Sequence, residues 1–194
     1  MGCGGSKSTR TINPTSPAVN GAQTSKGPSS RQIQLVRQTW DDVKPNLGEH
    51  GITFYSSHQY YTLTSLEIVC RLFAEHPESQ ELFPFRDVEG LDKLKEDDRF
   101  KFQAKRVMEM VGAAVDGLDD LPSLSIVLKD LGARHVAWNV KEHHYGPVGE
   151  ALIFTLKTGL GDKFTTEVNE AWLAVYGLIA DSMKAGAREA ASSS

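Results

Sequence analysis

The chain has 194 residues, of which 40% are hydrophobic and 24% charged. This length suffices for one domain with a buried hydrophobic core. Its mean hydropathy is −0.33, and no apolar run approaches the roughly 18 residues of a membrane-spanning helix, so an integral membrane protein is excluded. Two cysteines are too few for a disulfide scaffold. A net charge of −4 argues against a nucleic-acid binder. The lack of a signal peptide pattern favours a reducing, cytosolic location.

The amino-terminal arm, residues 1–29, is rich in Gly, Ser, Thr and Pro. It holds too little apolar surface to offset the entropy of ordering and is expected to be disordered. Residues 1–31 contain basic side chains and no acidic one, beside an acidic body, and this asymmetry indicates a basic arm on an acidic domain.

The first residues, Met-Gly-Cys with Ser6 in the sixth position, match a lipidation pattern. Gly2 fits an N-myristoylation site and Cys3 an adjacent palmitoylation site. One myristoyl chain binds membranes only weakly, so two lipids together with Lys7 and Arg10 predict a lipoprotein tethered to the cytoplasmic face of the plasma membrane. The alternative is a disordered terminus that begins Met-Gly-Cys by chance.

Beyond the arm, the hydrophobic periodicity is helical and the fold class is all-α. Pro45 ends the first helix, and Asp119, Asp120 and Pro122 favour a helix start at Leu121. One domain is expected over 30–186, followed by a disordered tail over 187–194. The predicted helices cover about Arg31 to Val43, 67–75, Phe100 to Val115, Leu121 to Val136, 146–159 and 165–184.

His135 ends an apolar stripe that also contains Leu124, Leu128 and Leu131. A histidine on an apolar helix face is more often a satisfied core residue than a metal ligand. If His135 binds a metal through one ring nitrogen, the other ring N–H should donate to a carbonyl one turn back, because that bond sets the tautomer and strengthens the ligand.

Several motifs resemble those of globins. They are His76-Pro77-Glu78 followed by Phe83 and Pro84, the run Leu131 to His135, and the spacing of Trp40, Val140, Tyr145, Val148, Gly149, Glu150, Phe164, Trp172 and Tyr176. Residues 31–184 most closely resemble neuroglobin-like and globin X-like proteins, and an acylated Met-Gly-Cys start also occurs in the latter. The resemblance implies a three-on-three helical sandwich around haem b (iron protoporphyrin IX), with His135 as the proximal iron ligand.

Gln103 is where this chain departs from the globin pattern, since most relatives have histidine at that position. A glutamine amide is a poor iron ligand but a good hydrogen-bond donor. We therefore predict an open or water-bound sixth iron position, with the Gln103 amide stabilising bound O₂. The alternative is that Gln103 turns to solvent.

Other pocket residues follow from the resemblance. Val69 is expected on the distal back wall and Phe83 stacked on the ring, with Val107 limiting ligand size. Arg106 either pairs with a haem propionate or is a solvated charge. The proximal side is expected to be closed by Leu131, Val140, Tyr145 and Val148.

A second departure precedes Val69, where about 14 extra residues, Thr53 to Leu66, interrupt the globin pattern. Their Thr, Tyr and Ser content disfavours helix, so a bulging loop is expected. Because this insertion ends shortly before Val69, it affects the prediction that Val69 lies on the distal wall.

The resemblance implies reversible O₂ binding, for oxygen transport or sensing, with NO and CO as further ligands. The first alternative is a haem redox enzyme that reduces nitrite, oxidises NO or removes peroxide. Such an enzyme needs a separate, unidentified reductase, and the absence of a reductase domain from this sequence favours binding. The second alternative is a haem-free adaptor anchored at a membrane.

Overall fold

The computed structural model describes residues 27–44 and 68–192, and no β-strand occurs in these ranges. None of the helices described there is both long and apolar enough to cross a membrane. The main helices are α1 (Ser30–Val43), α2 (68–75), α3 (Leu91–Glu96), α4 (Asp98–Asp116), α5 (Leu121–Ala137), α6 (Tyr145–Leu160) and α7 (Thr166–Ser192). Short 3-10 helices cover Pro77–Leu82, Gly117–Asp119, Glu142–His144 and Gly161–Lys163.

The start of α1 corrects the predicted boundary of the amino-terminal arm. Ser29 is the N-cap of the helix, and it exchanges hydrogen bonds with Gln32 in a capping box. Pro28, one residue earlier, is buried. Residues 27–29 therefore belong with the folded domain, whereas the proposed lipidation sites Gly2 and Cys3 and the insertion at 53–66 lie outside the described residues.

The end of α7 corrects the predicted tail, because the helix continues to Ser192 instead of ending near residue 184. Arg188 forms an ion pair with Glu142, with 2.9 Å between Nη1 and Oε1. Glu189 accepts from Lys129 at 2.6 Å between Oε1 and Nζ. These partners are distant in sequence, so helical periodicity alone does not indicate that the last turns of α7 are attached to the rest of the domain.

The core includes the contact between α1 and α7. The Nε1–H of Trp172 donates to Thr39 Oγ1 at 3.0 Å, and the ring centroids of Trp40 and Trp172 are 6.0 Å apart. Both indoles are buried, and the hydrogen bond satisfies the one polar atom of the Trp172 ring. This contact joins the first helix of the domain to its last.

The most extensive contact between described helices joins α5 to α7. A Cβ atom at Gly132 would overlap the backbone carbonyl of Met183, and one at Gly186 would overlap the carbonyl of Lys129. The two backbones therefore meet at distances that only glycine allows. Because Gly132 lies one turn before His135, this contact fixes the position of the helix that presents the histidine.

We predict that Gly186→Ala lowers the free energy of unfolding by about 1–3 kcal/mol, because the added methyl group forces α5 and α7 apart. Gly177→Ala is the matched control on the same helix, where an added Cβ meets nothing within 4 Å. It should raise stability by about 0.5–1 kcal/mol, as alanine does in a helix interior. Urea unfolding of both full-length variants measures the difference, and equal effects would contradict the close approach.

Candidate functional site

His135 lies near the end of α5 with its ring half-buried. Its Nδ1 is 2.8 Å from the carbonyl oxygen of Leu131, one turn earlier, which is the contact expected from the sequence. A carbonyl only accepts hydrogen bonds, so in the neutral ring Nδ1 bears the proton and Nε2 holds the free lone pair. No other described residue makes a hydrogen bond to Nε2.

The charge state of His135 also suits a metal ligand. Burial lowers the pKa of His135 below its ordinary value, and the hydrogen bond to the Leu131 carbonyl acts in the opposite direction. The net lowering favours the neutral imidazole at neutral pH, which is the form that binds metal. The ring is therefore neutral and oriented, with one nitrogen available.

The chain turns sharply after α5 and closes on His135. The N–H groups of Trp138 and Val140 both donate to the His135 carbonyl, at 3.1 and 3.2 Å. Asn139 between them adopts a left-handed conformation with φ 59°, which asparagine tolerates better than most residues. The Trp138 ring meets the His135 ring edge-on, with 5.0 Å between centroids.

Helix α4 carries the predicted distal residues. Its N-cap Asp97 accepts from the N–H groups of Arg99 and Phe100. Hydrogen bonding to the Arg99 side chain is the main cause that lowers the pKa of Asp97 to about 2. Gln103 and Val107 are half-buried and lie at one edge of the helix's buried face, and Gln103 makes no hydrogen bond with any described residue.

The helices that carry Gln103 and His135 stand apart. Few Cα atoms of α4 and α5 approach within 8 Å, although the turn Gly117–Asp119 joins the two helices directly. The backbones of the two helices are therefore not packed against each other along their lengths. A flat cofactor held between two helices needs this separation.

The predicted wall residues are interior, as a pocket requires. Val69 and Tyr145 are buried, whereas Leu131, Val140 and Val148 are half-buried against the core. Their contacts with haem remain predictions. Arg106 is exposed and lies 5.7 Å from the centroid of the Phe102 ring, a position compatible with either role expected for it.

Phe83 belongs to an aromatic cluster that also contains Phe73, Phe85 and Phe100. Its ring stacks on Phe85 with centroids 5.2 Å apart, and it meets Phe73 edge-on at 5.3 Å. Stacking on a haem ring remains a prediction, and the observed cluster shows how the loop after Pro77–Leu82 is fixed to the core.

Two polar side chains that the sequence analysis did not single out brace that loop. Gln80 Nε2 donates to the carbonyls of Phe85 and Val88, at 3.1 and 2.8 Å. Arg99 Nη1 donates to the carbonyl of Pro84 at 2.8 Å. The sequence analysis also did not single out Trp138. The available signal was its position three residues after His135, since residues three apart lie on the same side of a helix.

The Tyr145 hydroxyl bears on whether these residues fit a bound cofactor. This oxygen is buried and is the only buried side-chain polar atom in the described part of the chain without a hydrogen-bond partner. An unsatisfied buried hydroxyl is costly and needs an explanation. Together with the unpartnered Nε2 of His135 and the separation of α4 and α5, it fits a site completed by a further group.

The chain is similar to several known proteins. The family model described as Globin matches residues 66–183. Neuroglobin of Tetraodon nigroviridis is 33% identical over 159 residues, covering 81% of this chain and 91% of the relative. Neuroglobin of Danio rerio is 30% identical with the same coverage.

Among solved structures, a hexacoordinated haem protein from an anhydrobiotic tardigrade matches with a TM-score of 0.70. The match covers 82% of this chain and 95% of that chain at 22% sequence identity. At this level of identity the likeness establishes the fold alone. It agrees with the all-α, globin-type sandwich expected from the sequence.

We predict that Tyr145→Phe raises the free energy of unfolding of the haem-free, full-length protein by about 1 kcal/mol, because it removes an unsatisfied buried hydroxyl. Tyr176→Phe is the matched control. The Tyr176 hydroxyl donates to the Tyr145 carbonyl, so its removal should lower stability. Chemical denaturation measures both variants, and a loss of stability in Tyr145→Phe would show that its hydroxyl has a partner.

Proposed function

The chain belongs to the globin family, and from that premise we propose that it binds O₂ reversibly at a haem iron held by His135. It is a haem-binding globin, so haem is its cofactor. The observation that most supports His135 as the iron ligand is its Nδ1–H bond to the Leu131 carbonyl. That bond leaves the Nε2 lone pair for the metal and makes the ring a stronger donor.

Different residues on and around α4 and α5 have different roles in the proposed site. Haem, when bound, would supply an iron atom able to take an imidazole ligand and an exogenous diatomic ligand, O₂, NO or CO. His135 holds the iron from α5. The buried and half-buried side chains Val69, Leu131, Val140 and Val148 keep water out, which strengthens any hydrogen bond formed inside.

Gln103 gives the proposed distal side its polarity. Its amide N–H₂ group donates hydrogen bonds at any pH, whereas a histidine at that position can bind the iron itself. Because bound O₂ acquires partial negative charge, an amide donor stabilises it. Val107, one turn further along α4, limits the size of the ligand. This assignment leaves the sixth iron position open for O₂.

We place the protein at the cytoplasmic face of the plasma membrane. The support comes from the sequence: Gly2 and Cys3 fit a double acylation site, and Lys7 and Arg10 favour an anionic leaflet. The lipids would concentrate the globin near the membrane.

One observation favours a redox enzyme as the second candidate function. Trp138 is 55% exposed and meets the His135 ring edge-on, which provides a link between the surface and the proposed iron ligand. Nitrite reduction, NO dioxygenation and peroxide removal all need electrons from a separate reductase. Rapid reduction of the ferric protein by such a partner would favour the enzyme over the carrier.

We expect Gln103→Leu to increase the rates of O₂ dissociation and autoxidation about tenfold or more, since a lost hydrogen bond to a charged group is worth about 1.5–3 kcal/mol. Stopped-flow O₂ displacement by CO measures the first rate. The control Gln38→Leu replaces an exposed glutamine of α1 and should leave both rates unchanged. Wild-type rates in Gln103→Leu would mean that the amide does not face the ligand.

A further inference from the structure

Trp138 differs from the other two tryptophans of the chain. Trp40 and Trp172 are buried, at 4% and 1% exposure, whereas Trp138 is 55% exposed. Its ring is nevertheless in edge contact with His135 at 5.0 Å between centroids. One aromatic side chain therefore reaches from solvent to the imidazole assigned to the iron.

The segment that contains Trp138 and the part of α7 that contacts it carry more cations than ion-pair partners. We call residues 134–144 together with Lys184 and Arg188 the proximal corner. Arg134 is paired with Asp130 and Arg188 with Glu142, so these charges are balanced. Lys141 and Lys184 have no ion-pair partner among the described residues, and Lys184 Nζ lies 5.8 Å from the centroid of the Tyr145 ring.

This excess of positive charge contrasts with the net charge of −4 of the whole chain. A local patch whose charge opposes that of the rest of the protein orients a charged partner during encounter. Trp138 is thus an exposed indole three residues before Lys141, and tryptophan is the residue type that contributes most contact energy at the centre of protein interfaces.

We propose that the proximal corner is the docking site of an acidic one-electron donor protein, and that Trp138 conducts the electron from this donor to the iron held by His135. One electron leaves the reduced centre of the donor and arrives at the ferric iron, which becomes ferrous. No bond forms or breaks and no proton is required. The contact between the indole and the imidazole matters because electron tunnelling is slower across a gap than through packed rings.

The proposal rests on the proposed function, because it needs His135 as the iron ligand. A haem titration of His135→Ala separates the two. If His135→Ala binds haem with the wild-type spectrum, the proposed function fails. If it loses that spectrum while the corner variants retain it, the reduction experiment below tests the docking proposal alone.

The experiment measures reduction of the ferric, haem-loaded, full-length protein by stopped flow at low ionic strength. The probes are reduced plant-type ferredoxin, an acidic protein, and hexaammineruthenium(II), a small cation. Lys141→Glu should slow reduction by ferredoxin about threefold or more and accelerate reduction by the cation, since steering depends on the sign of the local charge. Added salt should remove both effects.

Lys157→Glu is the matched control, because it makes the same change of charge at an exposed lysine of α6. It should leave both rates near the wild-type values. Trp138→Leu should slow reduction by ferredoxin, and Trp138→Phe should restore part of the loss. Equal effects of the two lysine variants, or a wild-type rate in Trp138→Leu, would overturn the proposal.

A second measurement reads the charge around Trp138 without electron transfer. In the full-length protein before haem loading, Trp138 provides the fluorescence that a solute can reach. Iodide should therefore quench it more strongly than caesium, and Lys141→Glu should reverse this preference. Stronger quenching by caesium in the wild-type protein would contradict a cationic docking surface.

Discussion

The close packing of α5 on α7 is the constraint on which the proposed site depends. Gly132 and Gly186 let the two backbones meet where any side chain would overlap a carbonyl, and the Tyr176 hydroxyl donates to the carbonyl of Tyr145 at the start of α6. These contacts lie on both sides of His135 along the chain. Because packed interiors deform little, a histidine held this way presents its ring in one place.

The polar groups around His135 explain how one imidazole can serve a metal. Its Nδ1–H is engaged by the Leu131 carbonyl, its own carbonyl accepts from Trp138 and Val140, and burial lowers its pKa. Burial favours the neutral ring, and the hydrogen bond to the Leu131 carbonyl orients it with Nε2 available. On α4, Gln103 is half-buried, and its place on the wall opposite His135 is part of the proposal.

The helices and the orientation of His135 were predictable from the sequence, because they depend on contacts that are local or on patterns that repeat along the chain. Helical periodicity found the stripe that ends at His135, and a helix necessarily brings the Leu131 carbonyl near that ring. The persistence of α7 to Ser192 was not predictable, because it depends on Arg188 and Glu189 meeting partners far away in sequence.

Tertiary packing also determines the contacts of individual side chains in the site. The unsatisfied hydroxyl of Tyr145 and the edge contact of Trp138 with His135 depend on how side chains pack. The spacing places Trp138 three residues after His135, but the sequence shows neither the edge contact between their rings nor the lack of a partner for the Tyr145 hydroxyl. The assignment of Gln103 to the distal side, in turn, came from the globin resemblance and not from periodicity.

The central claim is that His135 is the one side chain that binds the iron, with the other iron position open beside Gln103. The most direct test is the optical spectrum of the haem-loaded, ferrous, ligand-free protein, recorded beside His135→Ala. The account predicts a single broad visible band, typical of five-coordinate iron, and its loss in His135→Ala. Two sharp visible bands in the wild-type protein would contradict it, because they would mean that a second side chain occupies the position assigned to O₂.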